Sequence, residues 1–313
     1  MNPEISVIVC TYNRAELLDK CLASLQAQSL SRGKYQIIVV ENSKDQDIFI
    51  SKKNKFSKYA DDFIQSLPPG LSRARNVGFK NAKAPYVVYL DDDAIPSKKW
   101  LESMLKAFKA IPDAICIGGK VEPLFLQNAP SWLTIDLMNY LSVVDYGNGT
   151  ISLNSDRWVV GANIGFHKTF LEEVGGFPEG LGRVGNTVSL LSNDETPLLD
   201  EIRRQDKKIV YCGEAAVKHL VDASRLTKDW FRKRVIWQAL SDIMKGDKLS
   251  DEEAETISSR YQDLVLSGAI IGRSIFGLMS QSTAKEIFPG AFADELGFLY
   301  QITRYLAERG SKI

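Results

Sequence analysis

The sequence predicts an α/β chain: a Rossmann-like, mostly parallel central sheet flanked by helices, followed by a helical C-terminal extension. Three observations carry this. Short apolar runs alternate with stretches of helical period through the first half. Polar residues cluster just after those runs, where parallel sheets bind ligands. Beyond about residue 225 the period is helical. The 313 residues suffice for one large domain or two fused ones.

Ile5 to Cys10 reads as a buried strand. Asn13 and Glu16 then give partial capping-box character, and Leu17, Leu18, Cys21, Leu22 and Leu25 follow at helical spacing. Gln36 to Val40 is a second buried strand. Pro68-Pro69-Gly70 marks a turn, Leu71 to Ala82 a helix and Tyr86 to Leu90 a strand. Ala114 to Gly118 is expected to be a strand ending at Gly118-Gly119. Glu122 to Asn154 reads as loop-rich. Trp158 to Ala162 is expected to be a strand, Lys168 to Val174 a helix, Leu198 to Gln205 a helix and Ile209 to Cys212 a strand. We divide the chain into 1–110, 111–225 and 226–313, the last a helical extension.

Composition excludes several classes. Lys plus Arg and Asp plus Glu number 39 each, so the net charge is zero. No run of like charge supplies the basic surplus that nucleic-acid binding needs. Four scattered cysteines, Cys10, Cys21, Cys116 and Cys212, read as reduced thiols of a cytosolic protein. Two histidines, His167 and His219, rule out a multi-histidine zinc site. The opening apolar run is too short for a signal peptide. The most apolar stretch, Leu264 to Met279, contains Arg273 and three glycines and reads as a core or interfacial helix.

Asp91-Asp92-Asp93 ends an apolar strand. On an extended chain Asp91 and Asp93 face one way and Asp92 the other. Like charges on one side repel unless a cation or donor lies between them. Hard carboxylate oxygens suit Mg²⁺ or Mn²⁺, completed by phosphate oxygens. The plain alternative is a solvated acidic turn, which the position at a central strand's carboxyl end disfavours.

These residues carry a resemblance. The segment Ile5 to Arg14 resembles the opening of the family 2 glycosyltransferases, inverting enzymes of the GT-A fold. Gly70 to Gly78 resembles that family's ARN-x-G helix, and Leu90 to Pro96 its DxD motif. Gly161 to Phe166 and Glu173 to Phe177 resemble its acceptor-side segments. The five stand in family order between residue 5 and about residue 220.

The resemblance implies site roles. Thr11, Tyr12, Arg14 and Arg75 would line the nucleotide pocket, with Asp91 and Asp92 beside them. Glu41 would stand where the family has an Asp that contacts the base. Asp93, with Asp91 and His219, would hold Mn²⁺ or Mg²⁺. Gly161 and Asn163 would face the donor or acceptor sugar. The donor is a nucleotide-sugar, with a UDP-sugar leading and others open; the acceptor is a glycan or lipid-linked saccharide.

Inverting transfer needs a general base for the acceptor hydroxyl. Asn193-Asp194-Glu195-Thr196 stands where the family has Glu-Asp-Thr, with the acids in reversed order. We favour Glu195 as base, with Asp194 as the alternative. Both could instead cap the helix that starts at Pro197, whose N-terminus would lower a carboxylate's pKa. His167 reads as structural.

The run Trp230 to Trp237 is aromatic and basic. It reads as packing against the catalytic domain, or as a peripheral membrane contact near a lipid-linked acceptor. The expected location is cytoplasmic, or peripheral at the inner face of the membrane. Two other functions compete. A nucleotidyltransferase would want a glycine-rich phosphate loop after the first strand, and Thr11 to Arg14 contains no glycine. A non-catalytic sugar-nucleotide or glycan-binding module would not need Asp91, Asp93 and the acid pair.

Overall fold

The computed structural model describes residues 2–179, 194–250, 252–258 and 292–308. The apolar stretch Leu264 to Met279 lies outside them. The described chain separates into two compact units. Of the described residues, one contains 2–126, 142–179 and 194–221; the other contains 127–141, 222–250, 252–258 and 292–308.

In the first unit the described strands form one nine-stranded sheet. Strands β1 (Ile5–Thr11), β2 (Tyr35–Glu41), β3 (Asp62–Gln65) and β4 (Tyr86–Asp91) lie in the order β3-β2-β1-β4, all parallel. Residues of β1 and β2 are buried almost throughout, as expected of strands covered on both faces. β8 (Asn163–His167) pairs antiparallel with β4 and with β6 (Ala114–Phe125). β6 runs parallel to the long β9 (Lys208–Val221), which also carries β5 (Ala94–Pro96) and β7 (Thr150–Ser152) antiparallel.

The helices follow the expected logic. α1 (Ala15–Gln26) buries Leu18, Cys21, Leu22 and Leu25, one stripe at helical spacing. α3 (Leu71–Lys80) lies so close to β1 that a Cβ on Gly78 would fall 2.4 Å from Ile8. α2 (Gln46–Phe56), α4 (Trp100–Ala110), α5 (Lys168–Glu173) and α6 (Thr196–Arg204) complete the layers.

Three expectations need correction. Asn13 does not cap α1: it takes a left-handed φ of 54°, and Arg14 occupies the capping position without a side-chain cap bond. β6 does not stop at Gly118-Gly119 but shifts register there and runs on to Phe125. A Cβ on Gly119 would meet the Ala215 carbonyl at 2.0 Å, so glycine permits this crowded crossing rather than ending the strand. Residues 158–162 are not a strand; pairing starts at Asn163. Helices α2 and α4 and strands β3, β5 and β7 are additions to the expected elements.

The second unit contains α7 (Lys228–Lys245) and α8 (Phe292–Glu308) packed together. Thr227 caps α7 through the Trp230 N–H, and Gly246 ends it in the left-handed conformation. Arg232 is buried in an ion pair with Glu295, and Tyr300 donates to Asp242 at 2.7 Å. Trp132 meets Phe231 and Phe292 edge-on. The aromatic, basic run thus turns Phe231 and Arg232 inward, onto α8 and the 127–141 segment. No helix among the described residues is long and apolar enough to cross a membrane.

Candidate active site

The site lies at the carboxyl ends of β1 and β4. Cys10 pairs with Asp91 in register, so Thr11 and Asp92 emerge side by side. The Thr11 hydroxyl donates to Asp92 Oδ2 at 2.6 Å. Arg14 Nη1 lies 3.1 Å from both Asp92 Oδ1 and Asp93 Oδ2. The left-handed turn at Asn13 precedes Arg14 directly. Asp92 is pushed up to about 7 by burial and by the neighbouring charge of Asp93, against the pull of Arg14 and Thr11.

β5 and β9 bring the histidine in. Ala94 pairs with His219, and the Leu220 N–H donates to the Asp93 carbonyl at 2.9 Å. His219 Nε2 lies 3.0 Å from Asp93 Oδ1 and 3.9 Å from Asp91 Oδ2. One ligand atom from each of Asp91, Asp93 and His219 falls within 4.8 Å of the others. Two carboxylate oxygens and one imidazole nitrogen, with Asp91 partly exposed and Asp93 and His219 buried, form a donor set that fits a divalent ion with positions left for phosphate.

Arg75 links this cluster to the acid pair. It is buried on α3, with Nη1 2.7 Å from Asp194 Oδ2 and Nη2 3.7 Å from Asp91 Oδ1. Its guanidinium also lies over the rings of Phe177 and Tyr89. Despite burial, these negative neighbours raise its pKa further and keep it charged. Ser72 adds a 3.3 Å bond to Asp194. The next helix residue, Asn76, accepts from the Phe177 N–H and donates to its carbonyl, so the ARN sequence is used residue by residue.

The two neighbouring acids differ. Asp194 is buried against Arg75, whereas Glu195 keeps partial exposure and accepts the Gly161 N–H at 3.2 Å. Glu195 stands at the N-cap position of α6 but makes no capping bond. Its pKa is raised to about 7, not lowered: burial and the charge of Asp194 outweigh Arg75. Gly161 is required where it sits, because a Cβ there would fall 2.3 Å from Arg75 Nη2.

Two expected contacts lie deeper than anticipated. Asn163 is fully buried: it accepts from Trp100 Nε1 and donates to the carbonyls of Lys120 and Ala215. It knots the sheet together and presents nothing to a sugar. Glu41 is also fully buried, with Lys52 Nζ at 2.6 Å and the Ser43 N–H at 3.0 Å. Tyr12 stays half-buried beside the site. His167 packs against Tyr86 and Phe108. All four cysteines are free thiols, three of them buried. Sequence reading missed Lys52, Ser72 and the Tyr146–Trp158 contact described below. The Asp45 cap of α2 was the one local signal that could have revealed the helix carrying Lys52. A cavity of about 530 Å³ lies elsewhere, between the end of α5 and α6, and none of the cluster residues lines it.

Known proteins resemble this chain in sequence and in fold. A family model described as "Glycosyl transferase family 2" matches residues 6–167. The chain is 26% identical to the glucosyl-dolichyl phosphate glucuronosyltransferase of Haloferax volcanii over 275 residues, 84% of this chain and 83% of that one. It is 26% identical to the glycosyltransferase AglE of the same organism, over 57% of each chain. The solved mannosyltransferase of Pyrobaculum calidifontis, in complex with GDP-Man and Mn²⁺, superimposes with a TM-score of 0.58 at 16% identity, covering 99% of this chain and 88% of that one. That likeness supports the GT-A fold. With over half of its length matched by the family model, the chain belongs to glycosyl transferase family 2.

Proposed function

We propose that this chain is an inverting, divalent-metal-dependent glycosyltransferase that moves a sugar from a nucleotide-sugar to a hydroxyl of a saccharide acceptor. The single observation that carries the reading is the division of labour around Arg75. On one side stand Asp91, Asp93 and His219, a donor set for Mn²⁺ or Mg²⁺. On the other stands Glu195, a partly exposed carboxylate with a pKa near 7.

In this reading the acceptor hydroxyl gives its proton to the Glu195 carboxylate, and its oxygen forms a bond to the anomeric carbon. The bond from that carbon to the diphosphate breaks, and the nucleoside diphosphate leaves with the electron pair. A positioned base whose pKa lies near the working pH accepts the proton efficiently while a large share of it is still ionised, which is worth about 10² to 10⁴-fold in rate. The Gly161 N–H orients Glu195, and Asp194 holds Arg75. Arg14 and Arg75 place positive charge beside the diphosphate site, and Thr11 and Tyr12 form its wall. A bound divalent ion would neutralise charge developing on the leaving group. Glu41, paired with Lys52, is buried at the carboxyl end of β2. The relative named for a dolichyl phosphate-linked substrate supports a lipid-linked saccharide as acceptor. A UDP-sugar leads as donor, and GDP-mannose follows on the structural likeness.

The test is calorimetry with UDP, GDP, dTDP, CDP and ADP, with and without Mn²⁺, followed by transfer assays with the sugar-nucleotides of whichever binds. Metal-dependent binding of at least one is expected. No binding by any of them, from folded protein, overturns the donor-site reading.

A further inference from the structure

We propose that Trp158 is the platform on which a pyranose ring of the acceptor saccharide stacks, beside the carboxylate of Glu195. This rests on the glycosyltransfer reading above and adds a site to it.

Trp158 is 44% exposed, while its neighbours Val159 and Ala162 are buried. A single exposed indole is ordinary. What singles this one out is how firmly its backbone is held. The Tyr146 hydroxyl accepts the Trp158 N–H at 3.3 Å and donates to the Trp158 carbonyl at 3.2 Å. Tyr146 is itself fixed: its N–H reaches the Tyr211 hydroxyl, and the two rings meet edge-on at 5.1 Å. The Arg157 guanidinium covers the Tyr146 ring, and the Arg157 carbonyl accepts from Arg203. Val159 fills the space beside Gly118, where a Cβ would come within 2.0 Å of it. A solvent-facing aromatic on an immobilised backbone is preorganised for a ligand, because little conformational freedom is lost on binding.

The position ties this residue to the chemistry. The Gly161 N–H, three residues on, is bonded to Glu195. Three extended residues span at most about 11 Å. Trp158 therefore stands within the length of a short oligosaccharide from the base.

The surroundings choose the occupant. A lipid chain needs contiguous apolar surface. Here the preceding residues, Asn154, Ser155, Asp156 and Arg157, are polar and exposed. A pyranose has an apolar C–H face, which matches the electron-rich face of an indole, and a rim of hydroxyls. The exposed Asp156 carboxylate and Asn154 amide, two and four residues before it on the chain, are suitable partners for that rim.

The experiment labels the chain with 5-fluorotryptophan. Five resonances arise from its five tryptophans, and Trp158→Phe assigns the one that disappears. Methyl glycosides of glucose, galactose, mannose and N-acetylglucosamine are the probes. The Trp158 resonance is expected to shift saturably with at least one. Trp158→Ala is then expected to raise the KM for that glycoside as acceptor about tenfold with nucleotide affinity unchanged, and Trp158→Phe to recover most of the loss. Lack of any shift in folded protein overturns the platform, and so does an equal loss of nucleotide affinity in Trp158→Ala. If the chain binds no nucleotide, the glycosyltransfer reading falls, while the glycoside titration still decides whether Trp158 holds a sugar.

Discussion

Arg75 binds Asp194 at 2.7 Å inside the protein, and this pair separates the roles of two adjacent acids. Both side chains are almost fully buried, so neither can lose its partner cheaply. Removing one partner of a buried ion pair typically costs about 3–5 kcal/mol. Asp194→Ala is therefore expected to destabilise the chain by about that amount in urea unfolding. Glu195→Gln should stay within about 1 kcal/mol, since Glu195 remains partly exposed and Gln can still accept the Gly161 N–H. Equal destabilisation by both would show that the acids do not differ as described.

The same asymmetry sets the catalytic outcome. Glu195→Gln is expected to keep nucleotide affinity and to lose transfer by about 10² to 10⁴-fold, the usual worth of a general base. Binding is read by calorimetry and transfer by product analysis. If Glu195→Gln transfers normally while folded Asp194→Asn does not, Asp194 is the base.

The pH dependence has a definite sign. Glu195 works as a base only when ionised, and its pKa is raised to about 7. Transfer should climb as pH rises through about 7 and level off above it. Asp194 raises this pKa and Arg75 lowers it. Asp194→Asn should shift the rising limb toward acid, and Arg75→Met toward alkali. Because the folded chain holds this proton longer than the unfolded one, whose carboxyl titrates near the ordinary 4.5, stability should fall as pH rises from there toward 7. Glu195→Gln should flatten that fall. A transfer rate independent of pH across this range would remove Glu195 from the base role.

Asp93 carries the largest share of the metal expectation, since it touches both His219 and Arg14. Asp93→Ala should abolish Mn²⁺-dependent nucleotide binding with the circular dichroism spectrum unchanged. His219→Gln should weaken it about 10- to 100-fold, as loss of an orienting or ligating group commonly does. Full metal-dependent binding in Asp93→Ala would sink the assignment.

How much of this was legible follows from how local each feature is. The β1 and β2 strands and α1 announce themselves by apolar periodicity. The acidic cluster is legible because its three members are adjacent on the chain and end a strand. The contact between Asp93 and His219 depends on β5 and β9 pairing across more than a hundred residues, which no local pattern encodes. The reversed acid pair could be located but not assigned, since the choice depends on Arg75 in α3, far away in sequence. The resemblance of its segment places Asn163 facing the sugar, and the burial that one indole donor and two backbone carbonyls give it depends on α4, β6 and β9, far away in sequence.

Gly161 gives the sharpest test of the packing behind the site. A Cβ there would lie 2.3 Å from Arg75 Nη2 and 2.8 Å from its Nη1 and Cζ. An arginine tip usually swings aside, but this one is pinned by Asp194 and enclosed by Phe177 and Tyr89. Gly161→Ala is expected to cost about 1–3 kcal/mol, the range for overpacking a filled interior. It should also lower transfer, because the displaced turn before β8 carries the N–H that orients Glu195. Combining it with Arg75→Met, whose unbranched chain bends away, should give a double-mutant coupling of at least about 0.5 kcal/mol in urea unfolding. Strict additivity would mean that the strain of Gly161→Ala falls on some group other than Arg75.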